Sequence, residues 1–144
     1  MQIRRTVPED AALIAPLLGQ LGYPTAPAAL AARLERAADD DDDPSWIAVD
    51  DATHAAVGFA AAHCFAPFEL DGPVSELTAL VVDDGARRAG IGRALVATFE
   101  AWAEARGCVR MSVATSFRRT DAHRFYERLG YVQLARKYEK NLVG

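Results

Sequence analysis

The stretch from residue 75 to residue 114 constrains the fold more than any other part of the chain. Residues 75–82 form a short run rich in leucine and valine that stops at Asp83-Asp84-Gly85. From Gly90 to about Ala105, the residues Ile91, Leu95, Phe99 and Trp102 fall on one helical stripe, and Gly107 closes the helix. Residues 109–114 then read as a strand again. A strand, a helix and a second strand in this order form a crossover unit, which is right-handed and makes its two strands parallel. Whatever else the chain does, it must build a sheet around that unit.

The flanking segments supply the rest. Residues 2–7 read as a first strand ending at Pro8, and Pro8-Glu9-Asp10 suits the first turn of a helix. Leu13, Leu17, Leu18 and Leu21 keep helical spacing until Gly22 and Pro24. Residues 26–38 give a second, alanine-rich helix with Leu30 and Leu34 on one face. Residues 46–50 and 55–66 read as a hairpin, residues 121–129 as a short helix ending at Gly130, and residues 131–142 as a terminal strand or strand pair. The expected order is β-α-α-β-β-β-α-β-α-β. The hairpin needs antiparallel pairs and the crossover a parallel one, so the sheet is mixed and the class is α/β with α+β character. No repeat or linker interrupts the sequence, so residues 1–144 are expected to form a single domain.

Composition narrows the partners. The chain has 144 residues, 51% of them hydrophobic, and a net charge of −4. That size can bury a core without disulfides or metal, and the acidic balance argues against nucleic acid as a ligand. Cys64 and Cys108 lack metal-ligand or redox-motif spacing and read first as buried free thiols, with a single disulfide between them as the alternative. Residues 1–10 contain no apolar run resembling a secretory signal, and the most apolar stretch, residues 55–68, is too short to span a bilayer. The expectation is a cytoplasmic protein without a membrane role.

Between the crossover strand and its helix lies Arg87-Arg88-Ala89-Gly90-Ile91-Gly92-Arg93. A helix N-terminus presents unpaired N–H groups and partial positive charge, so an anion fits there. Gly90 and Gly92 let the backbone approach an oxygen-rich ligand, and three arginines add charge. Two familiar phosphate motifs fail on this segment. Gly85 and Gly90 have the P-loop gap, but Ile91-Gly92 follow instead of lysine and a hydroxyl residue. A dinucleotide loop needs a third glycine where Leu95 stands. What remains is R-x-x-G-x-G after a strand, which also suits a plain basic turn. A second pattern follows in residues 120–131, where Ala122, Phe125, Tyr126 and Leu129 share one helical face before Gly130-Tyr131. By itself that is an amphipathic helix with an aromatic pair.

Taken together, Arg87-x-x-Gly90-x-Gly92 and Ala122-x-x-Phe125-Tyr126-x-x-Leu129-Gly130-Tyr131, with one helix and one strand between them, resemble the GNAT superfamily of acetyl-CoA-dependent N-acetyltransferases. The resemblance covers nearly the whole chain. It implies a sheet splayed between the strands at 75–82 and 109–114. It further implies transfer of an acetyl group from acetyl-CoA to a primary amine of a small molecule or peptide, by direct attack through a tetrahedral intermediate and without a metal. Arg87, Arg88, Ala89, Gly90, Ile91, Gly92 and Arg93 would hold the pyrophosphate, with Arg119 or Arg124 toward the adenosine end. Leu80, Val81 and Val82 would pair with the pantetheine arm through their main chain. Tyr126 would protonate the departing thiolate. One departure stands out: many relatives carry an asparagine where this chain has Thr115-Ser116-Phe117, so Ser116 takes over the contact or Phe117 covers the coenzyme's apolar arm.

The base is chosen from the residues. Glu76, at the start of the strand that would hold the thioester, is preferred over Glu69, Asp71 and His63. Each of these also has an ordinary structural reading, as a surface acid or a hydrogen-bonded histidine. The acceptor site is expected among the first two helices, the run Asp39-Asp40-Asp41-Asp42-Asp43 and residues 65–73. That aspartate run reads first as a solvated loop and second as an acidic rim that attracts a cationic amine. The sequence leaves the acceptor and the oligomeric state open, with a homodimer suggested by the resemblance alone. The competing function is a non-catalytic acyl-CoA-binding or regulatory module of the same fold.

Overall fold

The structure, a computed structural model, describes residues 1–87, 89–114 and 120–143. It contains two compact units, Met1–Ala114 and Thr115–Gly144.

In the first unit, five strands lie in the spatial order β1-β2-β3-β4-β5. They are β1 (Gln2–Arg5), β2 (Ser45–Val49), β3 (Ala56–Phe65), β4 (Val74–Val82) and β5 (Arg110–Val113). Strands β1 to β4 pair antiparallel and β5 joins β4 in parallel, so the sheet is mixed as expected. Helices α1 (Ala11–Leu21) and α2 (Pro27–Ala37) follow β1, and α3 (Ile91–Ala105) makes the crossover from β4 to β5.

The two faces of the sheet are covered differently. On one, Ile14 and Leu17 of α1 and Leu30 and Leu34 of α2 pack with Ile47, Phe59 and Val81. The buried side of α1 runs through Ala11, Ile14, Ala15 and Leu17, whereas Leu13, which the leucine spacing placed on it, is exposed. On the other face α3 buries Ile91, Leu95, Val96 and Phe99. It sits close because Gly58 lies beneath it: a Cβ there would meet Leu95 Cδ1 at 2.8 Å and Ile91 Cγ2 at 2.9 Å. Trp46 and Trp102 extend this face in an edge-on pair with centroids 5.8 Å apart.

The second unit holds α4 (Thr120–Arg128). Gly130, at φ 92°, closes it, and Tyr131 N–H donates back to the Tyr126 carbonyl (3.1 Å). Tyr126 stands edge-on to both Phe125 and Tyr131, with centroids 5.1 and 5.8 Å away. The terminal strand expected over residues 131–142 is not formed: no strand occurs among residues 131–143. Val132, Leu134, Tyr138 and Leu142 do alternate, but all are exposed and no ladder pairs with them. Alternation without a hydrogen-bonded neighbour does not hold a strand in water.

Candidate active site

The sheet opens at one point. Strand β5 pairs with β4 only from Val74↔Arg110 to Leu77↔Val113. On the opposite edge of β4, Ala61 pairs with Ala79 and Ala62 with Leu77, leaving Thr78 as a bulge residue. Bulges bend and twist a strand, and this one lies where β5 ends. Beyond it, Ala79, Leu80, Val81 and Val82 still pair with β3. Along their other edge no strand runs among the described residues, so that edge can receive an extended ligand. This is the opening expected between the two strands, and it includes Leu80, Val81 and Val82.

The same strand runs into the glycine loop. Asp83 caps a short 3₁₀ turn (Asp84–Ala86) by accepting from Gly85 N–H (3.0 Å). Gln20, at the end of α1, clamps this turn from outside. Its Nε2 donates to Asp83 Oδ1 (2.8 Å), and its Oε1 accepts from Asp84 N–H (2.9 Å). Arg87 pairs with Asp84 at 3.1 Å, so one of the acids before the loop orients an arginine. Gly90 is the N-cap of α3 at φ 77°, a left-handed conformation that glycine adopts without strain. Having no side chain, Gly90 supplies no cap to the N–H groups of Ile91, Gly92 and Arg93, which no described side chain caps, and a Cβ at Gly90 would have no described atom within 4 Å. An anion therefore has both donors and room at this helix end. Arg88, Ser116 and Arg119 lie outside the described residues.

Glu76 lies on the sheet face that carries α1. In the register it stands between His63 of β3 and Ser112 of β5, one pair before the opening. It is half-buried, and its side chain makes no hydrogen bond or ion pair with a described residue. His63 does have a partner: its Nδ1 lies 2.6 Å from Asp43 Oδ1. Its ring also stacks on Phe65, with centroids 5.7 Å apart and planes at 16°. The aspartate run is thus more than a solvated loop. Asp43 reaches His63, Asp42 pairs with Arg106, and Asp41 lies 3.7 Å from Arg5. Glu69 and Asp71, the weaker base candidates, are exposed or partly exposed in the connection between β3 and β4.

Cys64 and Cys108 are free thiols with sulfurs 3.8 Å apart. Burial pushes the Cys108 thiol above its ordinary value, which disfavours the nucleophilic thiolate. Sequence reasoning missed Thr78 and Gln20 as site-building residues, and it named Asp43 only as part of the acidic rim, not as the partner of His63. Asp43 had a usable signal, since it ends the acidic run directly before Pro44 and strand β2.

A family model described as acetyltransferase (GNAT) family matches residues 15–131. No curated protein matches the sequence. Among solved structures, an aminoglycoside N-acetyltransferase in complex with CoA is 26% identical, with a TM-score of 0.83 and coverage of 97% of this chain and 93% of that one. An acetyltransferase of Trypanosoma brucei is 24% identical, with a TM-score of 0.84 and coverage of 98% and 99%. A glucosamine-6-phosphate N-acetyltransferase from Arabidopsis thaliana is 20% identical, with a TM-score of 0.87 and coverage of 99% and 98%.

Proposed function

The chain belongs to the GNAT acetyltransferase family, and on that premise we propose that it transfers an acetyl group from acetyl-CoA to a primary amine of a small molecule or peptide. One observation carries the reading. Strand β4 loses its β5 partner at Thr78 and then leads, through the Asp84–Ala86 turn and the glycine loop, to the N-terminus of α3 behind Gly90. A ligand with an extended arm and a pyrophosphate suits that sequence of features: amide-like groups for the strand edge, anionic oxygens for the helix end.

In this reading Ala89, Gly90, Ile91, Gly92 and Arg93 hold the pyrophosphate. Arg87 and Arg88 add positive charge, Leu80, Val81 and Val82 hold the arm, and Ser116 and Arg119 complete the coenzyme site. The thioester then lies near the bulge, where a main-chain N–H stabilises the oxyanion. An alkylammonium with an ordinary pKa of about 10.4 is neutral in roughly one molecule per few thousand at pH 7, a cost of about 4–5 kcal/mol. Glu76, half-buried and with no side-chain partner among the described residues, takes that proton. Tyr126 gives a proton to the departing thiolate. Direct transfer is favoured over an acyl-cysteine: burial pushes the Cys108 thiol above its ordinary value, and Cys64 is buried on the face opposite to His63. Free thiols also suit a reducing cytoplasm.

The test is a panel of primary amines with acetyl-CoA, reading free thiol release, alongside calorimetry of acetyl-CoA binding. Turnover on at least one amine is expected. Gly92→Asp should abolish acetyl-CoA binding, because it puts a carboxylate beside the phosphates. Unchanged binding by this variant would remove the loop from the site. Binding without turnover on any amine would favour the non-catalytic module.

A further inference from the structure

Acetylation of an ammonium leaves a surplus proton. The overall change is R–NH₃⁺ plus acetyl-CoA giving R–NH–acetyl, CoA thiol and H⁺. The nitrogen gives up two protons: one before attack and one as the tetrahedral intermediate collapses. The thiolate takes up one through Tyr126, and the collapsing intermediate restores the proton that Tyr126 gave. The other proton stays on Glu76, which cannot act again until it is released. Glu76 itself is half-buried, so the release needs a route.

We infer that His63, held in place by Asp43, is the outlet through which Glu76 returns this proton to solvent; the inference rests on the acetyltransferase reading of the site. His63 and Glu76 are direct partners in the β3–β4 ladder. Such partners project from the same face with Cβ atoms about 4.5–5.5 Å apart, close enough for a direct or one-water transfer. With Nδ1 engaged by Asp43, the other ring nitrogen, Nε2, can take a proton and give it to water. The ring is fixed on two sides, by Asp43 at 2.6 Å from Nδ1 and by the Phe65 stack. It also stands at the water boundary, since the His63 side chain is 46% exposed and that of Asp43 45%. The other neighbour of Glu76, Ser112, can pass a proton but cannot hold one. Among the described residues of β4 and β5, the next charged position on this face is Arg110, opposite Val74 one row further along. His63 is therefore a relay group, and Asp43 a positioning residue that acts through it.

The experiment uses the amine identified by the panel and compares wild type, His63→Ala, His63→Gln, Asp43→Asn and Glu76→Gln at low buffer concentration. Imidazole is then titrated in, with thermal melts to confirm folding. Loss of the relay should lower kcat about 10²-fold in His63→Ala, with KM for both substrates within about twofold of wild type and turnover restored by imidazole. His63→Gln should behave alike and Asp43→Asn should lose less, while wild type ignores the added imidazole. A merely structural histidine would give no such rescue. An undiminished kcat in folded His63→Ala, or a loss that imidazole does not restore, overturns the relay. If Glu76→Gln is still inactive in that case, Glu76 keeps its role as base and only the outlet falls. A wild type that turns over no amine overturns both readings together.

Discussion

The two faces of the sheet are built from the same strands and end up with different chemistry. On the α3 face the contact is apolar and close, down to a glycine at position 58 where any side chain would collide. On the α1 and α2 face the apolar layer covers Ile47, Phe59 and Val81. Further along, that face carries His63, Glu76 and Ser112 in one row. Each strand alternates between faces, so one bulge at Thr78 is enough to change which residues line up across the row. A face sealed by a helix can position a loop; a face left partly polar can carry out a reaction.

The largest effect expected from this contrast is at Glu76. Glu76→Gln keeps the size and removes the proposed base, and it should lower kcat by about 10²- to 10³-fold while acetyl-CoA affinity stays within about twofold. Steady-state kinetics with parallel calorimetry separate the two quantities. If affinity fell and kcat did not, the polar row would belong to coenzyme binding, and the division of labour between the faces would be wrong.

Much of the fold was legible in the sequence, because the turn from β4 into α3 depends on residue identity. Gly90 needs its glycine for φ 77°, and the strand before it and the helix after it have strong hydrophobic periods. Strand and helix bounds in the first unit accordingly lie close to the expected ones. The row on the other face was not legible, because it depends on register. Nothing local says that Thr78 is skipped, and without that skip His63 is not set opposite Glu76. Asp43 belongs to a run of five similar residues, and only the fold distinguishes it. The C-terminal segment misled for a related reason: residues 131–142 carry a strand-like alternation, but a strand also needs a neighbour, which sequence pattern cannot supply.

A smaller effect should come from disturbing the sealed face. Gly58→Val puts methyl groups where Leu95 Cδ1 and Ile91 Cγ2 already lie within 3 Å of a Cβ. Overpacking of this kind costs about 1–3 kcal/mol, measurable by urea unfolding. Ile91 is also the first residue of α3, so the displaced helix carries the uncapped N–H groups with it. Acetyl-CoA affinity should therefore fall alongside stability. A variant that lost stability but bound acetyl-CoA normally would show that the cradle does not depend on how tightly α3 is seated.

The smallest effect tests what holds the helical cover on the opposite face. Asp10, just before α1, is buried and accepts from Arg4 Nη1 and Nη2 at 2.8 Å each and from Val7 N–H at 2.8 Å. It thereby ties β1 to the start of the helical layer. The Arg4 hydrogen bonds, more than any other cause, hold its carboxyl below the ordinary carboxylate value. A carboxyl lowered in the folded state is protonated more easily in the unfolded chain. Its contribution is therefore complete above the unfolded value and is lost as pH falls through the folded one. Asp10→Asn should cost about 1–2 kcal/mol at pH 7, moderated by the solvent that reaches Arg4. The difference between variant and wild type should shrink as pH falls below about 4, the ordinary carboxylate range. Thermal melts of both proteins between neutral and acidic pH measure it. Because the pair anchors the cover and lies outside the polar row, acetyl-CoA affinity at pH 7 should be unchanged. A penalty that stayed constant down to acidic pH would mean that the carboxylate charge contributes nothing, and that packing alone seats α1.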